Sequence, residues 1–401
     1  MNPVVQKTNK PIVVAVGLFV SGYSFTRVFE SLFTHLSTFF DIHWLGIAYK
    51  GEVQQKKNYT LHPCNIHGGD MYGAYGAAEL AIQLQARTVF VLNDLYMLRN
   101  YEQAFLPLRE KKIRTVVYAP LDGYFTDRSI ASQYLFPDHL ILYSQWAREE
   151  VQTAIDSIEQ PTASLPSLDH IYHGVDIGSF KPASSIEEIK KLKQELFNVP
   201  NAADCLFILN ANRYNERKDI EASINGFEKA WPRFNHPVYL CLHSPNIQFN
   251  LRGNLQLAVD NSIYKEHILL NPLGEEYIDD KKLLQLYQAC EIGVNTSLGE
   301  GWGMISFEHA ACGAAQVMPD HTVPSEIWKD VALLIPKAKP VQLNTNPFLM
   351  YSSDIEALAD LFVKMVNDEK LRAGISAKCL EHTAKDIFSW EKIAEQWRHL
   401  L

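Results

Sequence analysis

Short apolar runs alternate with segments whose apolar positions recur every three or four residues, from residue 12 almost to the C-terminus. The first kind reads as buried strand and the second as amphipathic helix. In the first half the pattern predicts strands at 12–18, 42–47, 88–92, 113–118 and 140–143, and helices at 25–36, 74–85, 96–108 and 147–155. Phe25, Val28, Phe29, Leu32 and Phe33 show the helical spacing most plainly. In the second half it predicts strands at 205–209, 238–242, 290–294, 315–318 and 332–335, with helices at 187–196, 219–230, 281–289 and 304–311. Helices at 354–366, 369–382 and an amphipathic one within 388–401 close the chain. Alternation of this kind builds parallel sheets covered by helices. The polar stretch 51–70, rich in His, Asn and Lys, has little period and is expected to be an excursion without a core role. Pro182-Ala-Ser-Ser185 reads as a linker, so 1–180 and 181–387 are expected to form two α/β domains.

Length agrees with two units, since 401 residues exceed an ordinary single domain. A composition of 47% hydrophobic and 21% charged residues is globular. A formal charge of −9 argues against a nucleic-acid partner, which would want a concentrated basic surface. The run 109–114, Arg-Glu-Lys-Lys-Ile-Arg, is the local exception. It reads as positive charges at the C-terminal end of a helix, where the dipole favours them, or as a contact with anionic lipid or a phosphorylated acceptor. The 6 cysteines lie far apart, several inside apolar runs, and read as reduced thiols of a cytoplasmic protein rather than a disulfide framework or a metal site. The apolar run at 12–20 reads as a first core strand, not a cleaved leader, and no run is long enough to cross a bilayer.

The chemistry concentrates in 295–313, where Glu300 and Glu308 bracket Gly299, Gly301 and Gly303 and the opening of a helix. Glycines permit a tight turn that a ligand can approach, helix-start N–H groups favour a phosphate, and the carboxylates can accept from hydroxyls. A polyhydroxylated, phosphate-bearing ligand fits that combination; two solvated glutamates beside an ordinary turn fit it almost as well. Arg213 and Lys218 occupy the loop after the strand at 205–209. Asp122 ends the strand at 113–118, where it could act on a ligand or serve as a cap for a helix near Asp127. Gly22 sits in the first strand-to-helix loop.

Together these segments resemble family GT4, the retaining nucleotide-sugar glycosyltransferases. Glu300-Gly-Trp302-Gly through Glu308 resembles the family's Glu-x7-Glu signature, with Trp302 where Phe is commoner and His309 where Ala is commoner. His173-Gly-Val-Asp176 with Phe180 and Pro182 resembles the domain-junction segment, and Asn212-Arg213 to Lys218 resembles Gly-Arg…Lys-Gly, with Asn212 and Asp219 where glycines are usual.

The resemblance implies a GT-B fold: two Rossmann-like parallel-sheet domains facing across a deep cleft, the helix at 388–401 returning to the first. It implies transfer, with retention, of a hexosyl group from a UDP- or GDP-sugar to a hydroxyl of a saccharide, glycoconjugate or lipid-linked glycan, using no metal and no cofactor. Glu308 would hold the donor ribose, Glu300 the transferred sugar, and the amides of Gly301, Trp302, Gly303 and Met304 its sugar or phosphate oxygens. Arg213 and Lys218 would offset charge on the departing diphosphate. Asp122 would orient the acceptor hydroxyl or stabilise positive character at the anomeric carbon, and Gly22 would lie against diphosphate or acceptor. The alternatives are a non-catalytic nucleotide-sugar or glycan-binding protein and a two-carboxylate glycoside hydrolase. The second accounts for neither Arg213 nor Lys218. Contact with the cytosolic face of a membrane rests on 109–114 alone.

Overall fold

A computed structural model describes residues 10–158, 165–244, 249–274 and 278–401. Its contacts divide the chain into two units. The first takes the chain up to Leu121, then Phe125–Gly174 and Ile387–Leu401; the second takes Asp122–Tyr124 and Val175–Asp386.

The first unit is built on an eight-stranded sheet in the order Gln54–Gln55, Thr60–Pro63, Asp41–Ile47, Ile12–Leu18, Thr88–Leu92, Arg114–Ala119, His139–Leu142, Ser167–His170. All neighbours are parallel except the first pair. Val13 to Val16 and Val89 to Leu92 are buried throughout, as strands covered on both faces must be. The stretch 51–70 is not an excursion. It supplies the strands Gln54–Gln55 and Thr60–Pro63, with Leu61 and Tyr59 buried. At a sheet edge alternate side chains face water, so a polar composition hid a short strand. The helix expected over 96–108 divides into a 3-10 segment, Leu95–Asn100, and a helix, Glu102–Glu110.

The last helix, Trp390–Leu400, packs inside this unit. Trp397 lies 4.7 Å from the rings of both Phe90 and Tyr118, and Thr88 Oγ1 donates to Leu401 O at 2.8 Å. Two cations of the 109–114 run are bound to main-chain carbonyls: Arg109 donates to Phe136 O and Arg114 to Leu400 O. His173 pairs with Tyr118 Oη at 2.7 Å and packs on Tyr143, and burial lowers its pKa to about 3. The junction histidine is a neutral core group.

The second unit holds a six-stranded parallel sheet, Ile268–Leu270, Val238–Leu242, Leu206–Asn210, Ile292–Val294, Ala315–Pro319, Leu333–Ile335. The hydrophobic pattern did not mark a second, three-stranded sheet. It consists of the antiparallel hairpin Lys337–Gln342 and Phe348–Ser353 with the short strand Tyr124–Phe125. Leu343 and Met350 of the hairpin form a buried cluster with Leu298, which ties it to the loop after Ile292–Val294. Both units are Rossmann-like α/β folds, as the alternation predicts.

Candidate functional site

The strand Ile292–Val294 ends in Asn295, Thr296 and Ser297, all fully buried. Asn295 Oδ1 accepts from Ser297 N at 2.9 Å and so curls the chain over. Asn295 Nδ2 and Ser297 Oγ then donate to Glu300 Oε2 at 3.3 and 3.2 Å, and Lys218 Nζ ion-pairs with the same oxygen. Glu300 N donates to the hydroxyl of Thr322 at 3.2 Å, and Thr322 is held at φ +52. That left-handed backbone is unfavourable for a β-branched side chain. Gly299 lies against the carbonyl of Asp122, and a Cβ there would overlap it. Gly303, at φ +90, opens the helix Met304–Ala311, whose start no side chain caps. Trp302 is buried and stacks on Phe307 at 4.9 Å.

Charges alternate through the site. Asp122 Oδ2 lies 3.2 Å from Arg217 Nε, Arg217 NH1 lies 3.8 Å from Glu300 Oε1, and Glu300 meets Lys218. Arg217 NH1 also donates to Gly299 O at 2.5 Å. Burial alone would raise the Glu300 pKa; Lys218 and Arg217 outweigh it and hold the carboxyl at about 2. Burial lowers the Lys218 ammonium to about 8 against the attraction of Glu300. Both groups are therefore charged at neutral pH.

Arg217 is the residue that sequence reasoning passed over. Three cations, Arg213, Arg217 and Lys218, share one loop, and only the local backbone decides which face inward. Asn215 Oδ1 accepts from Lys218 N at 3.1 Å, opening the 3-10 turn Glu216–Lys218, and Asp219 follows at φ +42. Asp219 thus adopts the conformation a glycine would take easily. Lys218 becomes buried, Arg217 half-buried and Arg213 exposed. Arg213 acts on Lys218 through space, lowering its pKa slightly further. Asn212 is buried and donates to Asn210 Oδ1 at 2.9 Å.

Glu308 is buried in the second turn of its helix, where Tyr287 Oη donates to Oε2 at 3.2 Å. Its neighbour His309 turns into the core, with Nε2 on Cys290 O at 2.9 Å and its ring on Tyr287. Burial brings its pKa to about 4, so it is neutral. Asp127, not Asp122, caps the turn Arg128–Tyr134 by accepting from Ser129 N. Gly22, at φ +80, sits in the first unit between Ile12–Leu18 and Ser24–Leu36. The other candidates, Asp122 included, belong to the second unit. Among the described residues, no group of three or more His, Cys, Asp or Glu is placed to hold a metal.

No protein-family model matches the chain. Among curated proteins, the serotype-specific mannosyltransferase WbdA of Escherichia coli is 27% identical over 214 residues, covering 52% of this chain and 23% of the relative. The match thus takes in about a quarter of that relative's length. Among solved structures, Anabaena Alr3699/HepE in complex with UDP-glucose superposes with a TM-score of 0.70 at 15% identity, over 97% of this chain and 98% of that one. The sucrose-phosphate synthase tll1590 of Thermosynechococcus elongatus gives 0.70 at 15% over 98% of both. The fold is GT-B. The catalytic domain of starch synthase IV from Arabidopsis thaliana, bound to ADP and acarbose, shares it with a TM-score of 0.68 at 10% identity over 98% of each chain. These likenesses run to nucleotide-sugar glycosyltransferases of GT-B fold in several families and do not single out GT4.

Proposed function

We propose that the protein is a metal-independent retaining glycosyltransferase of GT4 type, moving a hexosyl group from a UDP- or GDP-sugar to a hydroxyl of a saccharide, glycoconjugate or lipid-linked glycan. The observation that carries the reading is the buried Lys218–Glu300 pair with Arg217, set beside an uncapped helix start. Breaking the bond between anomeric carbon and phosphate oxygen puts negative charge on the diphosphate and positive character on the sugar. Cations already ordered in a buried site can meet the first without reorganising, and carboxylates the second.

Glu300 Oε2 is committed to Lys218, Asn295 and Ser297, so Oε1, 3.8 Å from Arg217, is the oxygen proposed to meet the sugar. Glu308 is proposed to accept from the ribose, and the amides from Gly301 to Met304 to donate to sugar or phosphate oxygens. Arg213, exposed in the same loop, is proposed to reach the diphosphate, with Arg217 and Lys218 behind it. Asp122 is proposed to stabilise the anomeric carbon or orient the acceptor, and Gly22 to lie against diphosphate or acceptor.

WbdA is a mannosyltransferase by name and HepE was solved with UDP-glucose, so GDP-mannose and UDP-glucose head the donor panel. Release of nucleoside diphosphate, in excess chelator and dependent on a glycoside acceptor, supports the proposal. Turnover that vanishes with chelator overturns metal independence, and binding of every donor without turnover favours the sugar-binding alternative.

A further inference from the structure

Asp122 is held on both oxygens. Arg217 Nε lies 3.2 Å from Oδ2, while Asn346 Nδ2 donates to Oδ1 at 3.0 Å across 224 positions of sequence. Asn346 is buried in the connection between Lys337–Gln342 and Phe348–Ser353. Its Oδ1 accepts from Phe348 N at 2.9 Å, and its carbonyl accepts from Gln342 Nε2 at 2.8 Å, so the amide's orientation is fixed by its own turn. The hairpin grips the site at two further points. Tyr351 N donates to Leu298 O at 2.9 Å, and Gly123 sits so close to the main chain of Leu349 that a Cβ would come to 2.7 Å from its carbonyl oxygen. Closing a hairpin turn requires only the bond to Phe348 N; it does not require a buried amide donating to a distant carboxylate.

We propose that Asn346 is a positioning residue for Asp122, and that the hairpin of residues 337–353 aligns the Asp122 carboxylate with Arg217 and the Glu300 loop. The inference rests on the proposed role of Asp122 in transfer. Among the described residues, the ion pairs that reach Asp122 run through Arg217 to Glu300 and Lys218, carboxylate and cation alternating, with Arg213 acting on Lys218 and His321 on Glu300 from farther out. A neutral donor holds Oδ1 without disturbing that alternation. An aspartate at 346 would keep the acceptor for Phe348 N but replace the donor with a second carboxylate, and facing carboxylates cannot both ionise easily.

The test compares Asn346→Asp, Asp122→Asn and the double variant in the full chain, by thermal unfolding at pH 7.5 and 5 and by pH profiles of turnover. Asn346→Asp should melt lower at pH 7.5 and recover toward pH 5, as the pair takes up a proton. In the Asp122→Asn background the same change should cost little. In turnover, Asn346→Asp should lower kcat by up to about 100-fold, as misplacement of a reacting group does, with donor KM nearly kept and the acid limb of kcat/KM moved to higher pH. Equal melting losses in both backgrounds, independent of pH, would overturn the contact. Coupled melting with an unchanged kcat and pH profile would make Asn346 structural and overturn the positioning role. If the wild type turns over no donor, the proposed function fails, while the unfolding cycle still decides whether Asn346 holds Asp122.

Discussion

Replacing Lys218 with Met removes the ammonium from a buried ion pair and leaves Glu300 charged among Asn295, Ser297 and a guanidinium 3.8 Å away. In the intact site the Glu300 pKa is lowered from 4.5 to about 2. At about 1.4 kcal/mol per unit this amounts to about 3 kcal/mol, the net after burial, which raises the pKa, is outweighed by Lys218 with help from Arg217 and Asn295. Orphaning one member of a buried pair costs about 3–5 kcal/mol, in the same range. We therefore expect Lys218→Met to lose about 3 kcal/mol, a fall in Tm of roughly 6–12 °C for a unit of this size. The pH dependence fixes the cause. With its pKa depressed, Glu300 contributes stability that is present above 4.5 and lost as pH falls through 2. In Lys218→Met burial dominates and the pKa rises, so protonation relieves the unpaired charge and the difference from wild type shrinks between pH 7 and pH 4. Lys218→Met with Glu300→Gln should cost less than the two single changes added. Urea and thermal unfolding of the four proteins at both pH values decide it. Losses below about 1 kcal/mol that add and do not vary with pH would refute the electrostatic argument.

Arg217→Ala should lower kcat by about 10²–10³-fold, whereas Arg213→Ala, at an exposed position, should raise the donor KM and leave Tm unchanged; steady-state kinetics and melting check both. Glu308→Gln should act on donor KM and Asp122→Asn on kcat, so equal effects on donor affinity would refute that division of roles. Burial lowers His173 to about 3 and His309 and His321 to about 4, below the ordinary 6.5. The folded state therefore binds fewer protons than the unfolded one across that window, and stability should decline as pH falls from 6.5 toward 4, which a Tm series would show.

The parallel sheets were legible because buried strands such as Val89 to Leu92 and Val238 to Leu242 are apolar on both faces. Gln54–Gln55 and Thr60–Pro63 were not, because the outermost strands of a sheet need few apolar residues, nor was the hairpin, whose strand Lys337–Gln342 is almost wholly exposed. In the site, the Gly303 turn and the helix after it follow from glycine spacing and apolar period. The inward turn of Arg217 does not, because it depends on the left-handed backbone at Asp219, and a residue other than glycine rarely announces that conformation. Asn346 could not be read from sequence at all: its partner Asp122 lies 224 positions away, and an asparagine in a connection looks like an ordinary turn residue.

The proposed transfer of a sugar from a nucleotide donor, with its anomeric configuration kept, fixes the configuration of the product. Proton NMR of the reaction with a responsive donor and acceptor, in excess chelator, follows both species at the anomeric centre. A new glycoside anomeric signal with the donor's configuration should grow in step with nucleoside diphosphate. An inverted glycoside, or free sugar alone without a glycoside, would rule out retaining transfer.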